Sequence, residues 1–174
     1  MRILAIDPGP ERSAWVWYMW CDSARRAANP TGGPLGGMGI SENNNLLAYL
    51  ENIPLSSPAA LAIEMPEGRG MPVGQSVLDT ALWVGRFAQQ WSRCQYYPWV
   101  LVYRRKVKLH ICGDSRAKDS NIRQALIDRF GGSREKAIGT KKNPGPLYGV
   151  KRDIWQALAL AITAAETVLE DKPA

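Results

Sequence analysis

Short runs of apolar residues near the beginning of the chain predict β-strands. Residues 2–7 (RILAID) end at a Pro-Gly-Pro turn, and residues 13–20 (SAWVWYMW) resume as an aromatic and β-branched run. Together they predict a β-hairpin. A connection rich in glycine and proline over 29–39 leads toward a short third strand near 37–41.

The rest of the chain alternates between apolar runs and apolar residues at helical spacing. Pro66 follows one such run, and Gly131-Gly132 follows a segment with helical spacing, so both mark the ends of elements. The predicted strands are 60–64 and 99–103, and the predicted helices are 43–52, 75–92, 118–130 and 152–169. A hairpin followed by strands alternating with helices predicts a single α/β domain over residues 1–174, built on a mixed sheet.

The composition is ordinary for a globular protein, but the charge is unbalanced. The 22 Lys and Arg exceed the 16 Asp and Glu, which gives a net charge of +6, and the basic residues concentrate in the second half. This distribution favours an anionic partner such as nucleic acid. The three cysteines are far apart, and the sequence has neither a secretion signal nor a long apolar segment. We therefore expect reduced thiols, no zinc site and a cytoplasmic location.

Three acidic residues occupy positions where a purely structural sequence would place apolar ones. Asp7 ends one buried strand, Glu64 ends another, and Asp153 opens an otherwise apolar helix. Singly, each has a structural explanation, as a turn former, a paired charge or a helix-start charge. Jointly, strand ends and a helix N-terminus can converge on one cleft, where carboxylate oxygens suit Mg²⁺ or Mn²⁺. The hypothesis that follows is metal-dependent phosphodiester hydrolysis.

Four ordered blocks of the sequence resemble the RuvC-type Holliday-junction resolvases. They are IDPGPERSAW, LAIEMP, VYRRKVKLHICGDSRAKDSNIRQALI and RDIWQALALAIT. The resemblance implies an RNase H-like fold, with a five-stranded mixed sheet whose first three strands are antiparallel, flanked by helices. It implies that Asp7, Glu64 and Asp153 are catalytic and bind Mg²⁺ or Mn²⁺. It also implies a homodimer, of a phage type, that cuts four-way or other branched DNA in the host cytoplasm.

Three positions depart from the family pattern. Gln156 stands where the family has a second metal ligand, one turn after Asp153, and we include its amide oxygen among the metal ligands. Asp119 stands where the family has a lysine, with Lys118 one residue earlier. The segment after Glu64, PEGRGMPVG, has no aromatic residue that could stack on junction bases.

Basic residues near the expected cleft are candidates for contacts with DNA phosphates. Lys118 could equally be a solvated charge at the start of a helix, and the insert GTKKNPGPLYG could equally be a plain surface loop. The predicted DNA-binding residues are Arg69, Lys108, Arg116, Lys118, Lys141 and Lys142.

Two other functions stay open from the sequence. Gln156 is compatible with a degraded site, and hence with a protein that binds branched DNA without cutting it. The same fold also occurs in YqgF-like RNases, which act on RNA. An ATPase of the sugar-kinase type is disfavoured, because 174 residues cannot supply two duplicated domains.

Overall fold

The computed structural model describes residues 2–19, 35–54, 59–68, 72–95 and 97–169. The strands are β1 (Arg2–Asp7), β2 (Arg12–Met19), β3 (Leu35–Glu42), β4 (Ala59–Met65) and β5 (Trp99–Tyr103). The helices are α1 (Asn43–Glu51), α2 (Gln75–Cys94), α3 (Arg104–Cys112), α4 (Asp119–Gly131), α5 (Arg134–Ala137) and α6 (Ile154–Ala164), and a π-helical turn (Ala165–Leu169) follows α6.

The strands form a five-stranded mixed sheet in the order β3-β2-β1-β4-β5. The first three strands pair antiparallel, whereas β4 is parallel to both β1 and β5. The predicted fold class, with its hairpin, third strand and two later strands, is therefore confirmed. Because β1, β4 and β5 run in the same direction, their carboxyl ends lie at one edge of the sheet.

Both faces of the sheet are covered, which explains why β1 and β4 are apolar at consecutive positions. One face carries Ile3, Ala5, Ala60 and Ala62 and packs against α6, whose residues are all buried. The opposite face carries Leu4, Ile6, Leu61 and Ile63 and packs against α1 and α2, with Leu46, Phe87 and Trp91 fully or almost fully buried. Helix α6 is thus the central helix on this first face of the sheet. Its packing fixes the position of its N-terminus relative to the strands.

Helix α3 is the main element that the sequence prediction lacks. Its sequence, RRKVKLHIC, buries only Val107 and Lys108, so it has little of the apolar periodicity that marks a packed helix. It ends at Gly113, whose backbone is left-handed with φ of 72°, a conformation that glycine adopts without steric cost. The short helix α5 is missed for a similar reason, since Ala137 is its only buried residue.

The last helix is shorter than predicted. It begins at Ile154, with Asp153 at the N-cap position, and it changes to π-helical geometry at Ala165. Among the described residues, no helix combines the length and the apolar character needed to cross a bilayer.

Candidate active site

Asp7 and Glu64 stand side by side at the carboxyl ends of two neighbouring parallel strands. Ile6 is paired with Ile63, so the residues that follow them come next in the same register. Side chains alternate along a strand, and Asp7 and Glu64 therefore face the layer that contains α6. The sheet register brings together two carboxylates that are distant in the sequence, as predicted.

Burial and mutual repulsion act on these two carboxyl groups. Burial raises the pKa of Asp7 well above its usual value, the charges of Glu64, Asp153 and Asp119 raise it further, and Arg104 opposes them. The pKa of Glu64, whose residue is 6% exposed, is also raised by burial, against the lowering effect of Arg104. A concentration of negative charge of this kind is relieved by a cation.

Arg104, the first residue of α3, lies between two of the acidic side chains. Its Nη1 donates a hydrogen bond to Glu64 Oε1 at 2.8 Å, and its Nη2 donates to Asp119 Oδ1 at 2.9 Å. One turn later, the buried Lys108 places its Nζ 3.8 Å from the same oxygen of Asp119. The sequence reasoning did not identify Arg104. The available signal is a basic residue directly after a predicted strand, in a sheet in which two other strands end in carboxylates.

The N-terminus of α6 contributes the other polar groups of the site. Asp153 is exposed at the N-cap position, and the backbone just before it is constrained, because Arg152 has a left-handed φ of 49°. Gln156 is 6% exposed, and its Oε1 has no hydrogen-bond partner among the described residues. Asp119, Asp153 and Gln156 all line one open cleft of about 390 Å³. The structure therefore brings the predicted helix-start residues to the same region as Asp119.

The oxygen atoms of this region are chemically suited to a hard divalent cation. The side chains themselves, however, are not arranged as a complete metal site. In the part of the chain that the structure describes, no three His, Cys, Asp or Glu side chains are arranged to hold a metal ion. The buried oxygens Glu64 Oε2 and Gln156 Oε1 both lack partners, which is a costly state for polar atoms away from water. Together with Asp7 and Asp153 they offer oxygen ligands of the kind that Mg²⁺ and Mn²⁺ prefer.

The predicted DNA-binding residues differ in their positions. Lys108 is almost fully buried, and its Nζ lies 3.8 Å from Asp119 Oδ1. Arg69 lies outside the described residues. The predicted residues that are exposed are Arg116, Lys118, Lys141 and Lys142.

A second cleft, with basic walls, lies next to the acidic one. It has a volume of about 680 Å³ and is lined by Arg105, Lys108 and Arg116, together with Leu109 and the loop 113–115. Lys108 links the two clefts, because it lines this one while pairing with Asp119. A basic cleft beside a carboxylate centre suits a phosphate backbone that continues past the reacting phosphate. The sequence reasoning did not include Arg105.

The raised pKa of Asp7 predicts a pH-dependent cost to stability in the absence of metal. Since the folded pKa exceeds the unfolded one, the folded state binds more protons between the two values, and stability falls as pH rises through that window. Asp7→Asn should therefore raise the Tm at neutral pH in EDTA, by roughly 2–4 °C for each kcal/mol recovered, and should flatten the decline of Tm as pH rises through the window between the two pKa values. The exposed Asp128→Asn is the control, and equal effects of the two variants in thermal melts would contradict the prediction.

Comparison with known proteins identifies the fold. No protein-family model matches the chain, and no curated protein sequence is significantly similar to it. Among solved structures, Thermus thermophilus RuvC matches with a TM-score of 0.62 at 15% identity, covering 95% of this chain and 93% of that one. T. thermophilus RuvC in complex with a Holliday junction substrate matches with a TM-score of 0.60 at 14% identity, covering 95% and 93%. The Fowlpox virus resolvase in complex with Holliday junction DNA matches with a TM-score of 0.53 at 11% identity, covering 97% and 99%. The chain therefore has the RNase H-like fold of the RuvC-type resolvases.

Proposed function

We propose that this protein is a metal-dependent endonuclease that cuts four-way or other branched DNA. The observation that carries the proposal is the meeting of Asp7 and Glu64 at adjacent strand ends, facing the layer that contains α6. This arrangement occurs in a fold shared with two proteins whose solved structures contain Holliday junctions. One buried oxygen each of Glu64 and Gln156 adds support, because neither has a hydrogen-bond partner within the described part of the chain.

The proposed reaction is hydrolysis of a phosphodiester bond with departure of the 3′ oxygen. Asp7, Glu64, Asp153 and Gln156 would hold Mg²⁺ or Mn²⁺ through oxygen atoms. The bound ion would supply Lewis acidity and a water with a lowered pKa. Arg104 keeps Glu64 oriented and partly offsets the repulsion between the carboxylates. The cleft that contains Arg105 and Arg116 would hold the neighbouring phosphates.

A homodimer would match the paired cuts that a four-way junction requires. A candidate interface lies on the face of the sheet opposite α6. Leu78 and Leu82 of α2 are 54% and 62% exposed, and on β5 the alternating side chains of Trp99, Leu101 and Tyr103 are 38–51% exposed. Leu78 and Leu82 lie one turn apart on α2, and clusters of exposed large apolar side chains are typical of a protein interface. We infer that a second copy of the chain covers this surface.

A second candidate function is binding of branched DNA without cleavage. Three observations favour it: Gln156 is a neutral ligand, Arg104 occupies one oxygen of Glu64, and Asp119 stands in place of the family's lysine. The two functions differ in one measurable property, the breaking of a phosphodiester bond in the presence of metal.

Cleavage of an end-labelled four-way junction tests the main proposal. In Mg²⁺ or Mn²⁺ the wild type should introduce symmetric nicks, and Asp7→Asn should lose at least about 100-fold in rate because a metal ligand becomes a neutral amide. Linear DNA and an RNA hairpin of matched length serve as controls. Binding without nicks in either metal would establish the second candidate, and preferred cutting of the hairpin would indicate an RNase.

Replacement of Leu82 by glutamate tests the proposed interface. A charge at the centre of an apolar contact should separate the two copies, so the molar mass measured by light scattering should fall from about 39 kDa to about 19 kDa. Met19→Glu, at an exposed apolar residue at the end of β2, is the matched control. A wild type of about 19 kDa at micromolar concentration without DNA, together with one chain per junction when DNA is added, would contradict the dimer.

Gln156→Glu tests whether the neutral amide limits metal affinity. The added negative charge at an almost isosteric side chain should lower the Mg²⁺ concentration for half-maximal cleavage by roughly tenfold. Gln124→Glu, at an exposed position on α4, should leave that concentration unchanged. An unchanged Mg²⁺ dependence in Gln156→Glu would remove Gln156 from the proposed ligand set.

A further inference from the structure

The two carboxylate oxygens of Glu64 have different environments. Oε1 accepts a hydrogen bond from Arg104 at 2.8 Å, whereas Oε2 is buried without any partner among the described residues. Only one side of this carboxylate is therefore free to bind a ligand. Gln156 Oε1, also buried and unpartnered, is the other free oxygen in the interior of the region.

Arg104 is held in its position by several independent interactions. Its guanidinium forms ion pairs with both Glu64 and Asp119, and it also attracts the charge of Asp7. Lys108 reinforces the arrangement from the same helix, through Asp119. A guanidinium does not lose its proton in proteins, so this positive charge is a permanent part of the site.

The sum of charges distinguishes a site for one ion from a site for two. Asp7, Glu64, Asp119 and Asp153 carry four negative charges, against which Arg104 and Lys108 provide two positive ones. In the protein without DNA, one divalent cation neutralises the remainder. A second would leave an excess of two positive charges. It would also compete with Arg104 for Glu64 Oε1.

We propose that the site binds a single divalent cation and that the guanidinium of Arg104 takes the place of a second one. The ion would lie on the side of Glu64 Oε2, with Asp7, Asp153 and Gln156 as the other oxygen donors, while Arg104 stays on the side of Glu64 Oε1. In this arrangement Asp119 anchors the arginine. The inference rests on the proposed nuclease function and specifies its metal requirement.

Titration of the protein with Mn²⁺ in the absence of DNA tests the proposed single-ion site. The free Mn²⁺ is measured by electron paramagnetic resonance. The wild type should bind one Mn²⁺ per chain. Arg104→Gln, which keeps a hydrogen-bond donor but removes the charge, should bind the first ion about tenfold or more tightly, or bind a second. Arg104→Lys should restore the single ion, and Lys106→Ala, which removes an exposed charge of the same helix, should behave as wild type.

Several results would overturn the inference. They are two Mn²⁺ per wild-type chain, no Mn²⁺ bound at millimolar concentration, or identical stoichiometry and affinity in the wild type and a folded Arg104→Gln. If Arg104→Gln does not fold, the number of Mn²⁺ ions bound by the wild type and by Arg104→Lys still distinguishes one ion from two. Junction cleavage serves as the separate readout. Cleavage with two bound ions refutes the single-ion site and leaves the nuclease intact, whereas one bound ion without cleavage supports the site and counts against the nuclease.

Discussion

The parallel register between β1 and β4 is the constraint on which the rest of the site depends. It places Asp7 next to Glu64 and directs both toward the layer of α6. Because side chains alternate along a strand, a slip of one residue would turn Glu64 to the opposite face, among the apolar residues that pack against α2. The complete burial of α6 then fixes Gln156 and Asp153 relative to the strands. Backbone pairing and apolar packing therefore determine where the polar atoms of the site lie.

Buried carboxylates need compensation, and here part of it comes from α3. Arg104 and Lys108 project from one face of a helix that begins directly after β5, at the same sheet edge as Asp7 and Glu64. The compensation is incomplete, since the pKa values of Asp7 and Glu64 remain raised and two buried oxygens remain unpartnered. The site is therefore partly neutralised, and it keeps a capacity for one more cation.

Much of the scaffold could be predicted from the sequence, because apolar periodicity carries that information. The strands β1, β2, β4 and β5 and the helices α2, α4 and α6 all contain runs or repeats of buried residues, and the predicted carboxylates are conspicuous as exceptions within them. The ion pairs of Arg104 could not be predicted in this way. Its partner Glu64 is 40 positions away, and α3 itself buries too few residues to be recognised. For the same reason, the contact of the Lys108 amine with Asp119 could not be predicted from the sequence.

The Arg104–Asp119 pair also constrains how this sequence can change. A substitution of Asp119 by lysine would remove the carboxylate that Arg104 and Lys108 both contact and would add a third positive charge beside them. The substitution alone would bring three positive charges close together, and this repulsion would be relieved only if Arg104 were replaced as well. The two positions are therefore expected to change together, so that a chain with lysine at 119 lacks arginine at 104.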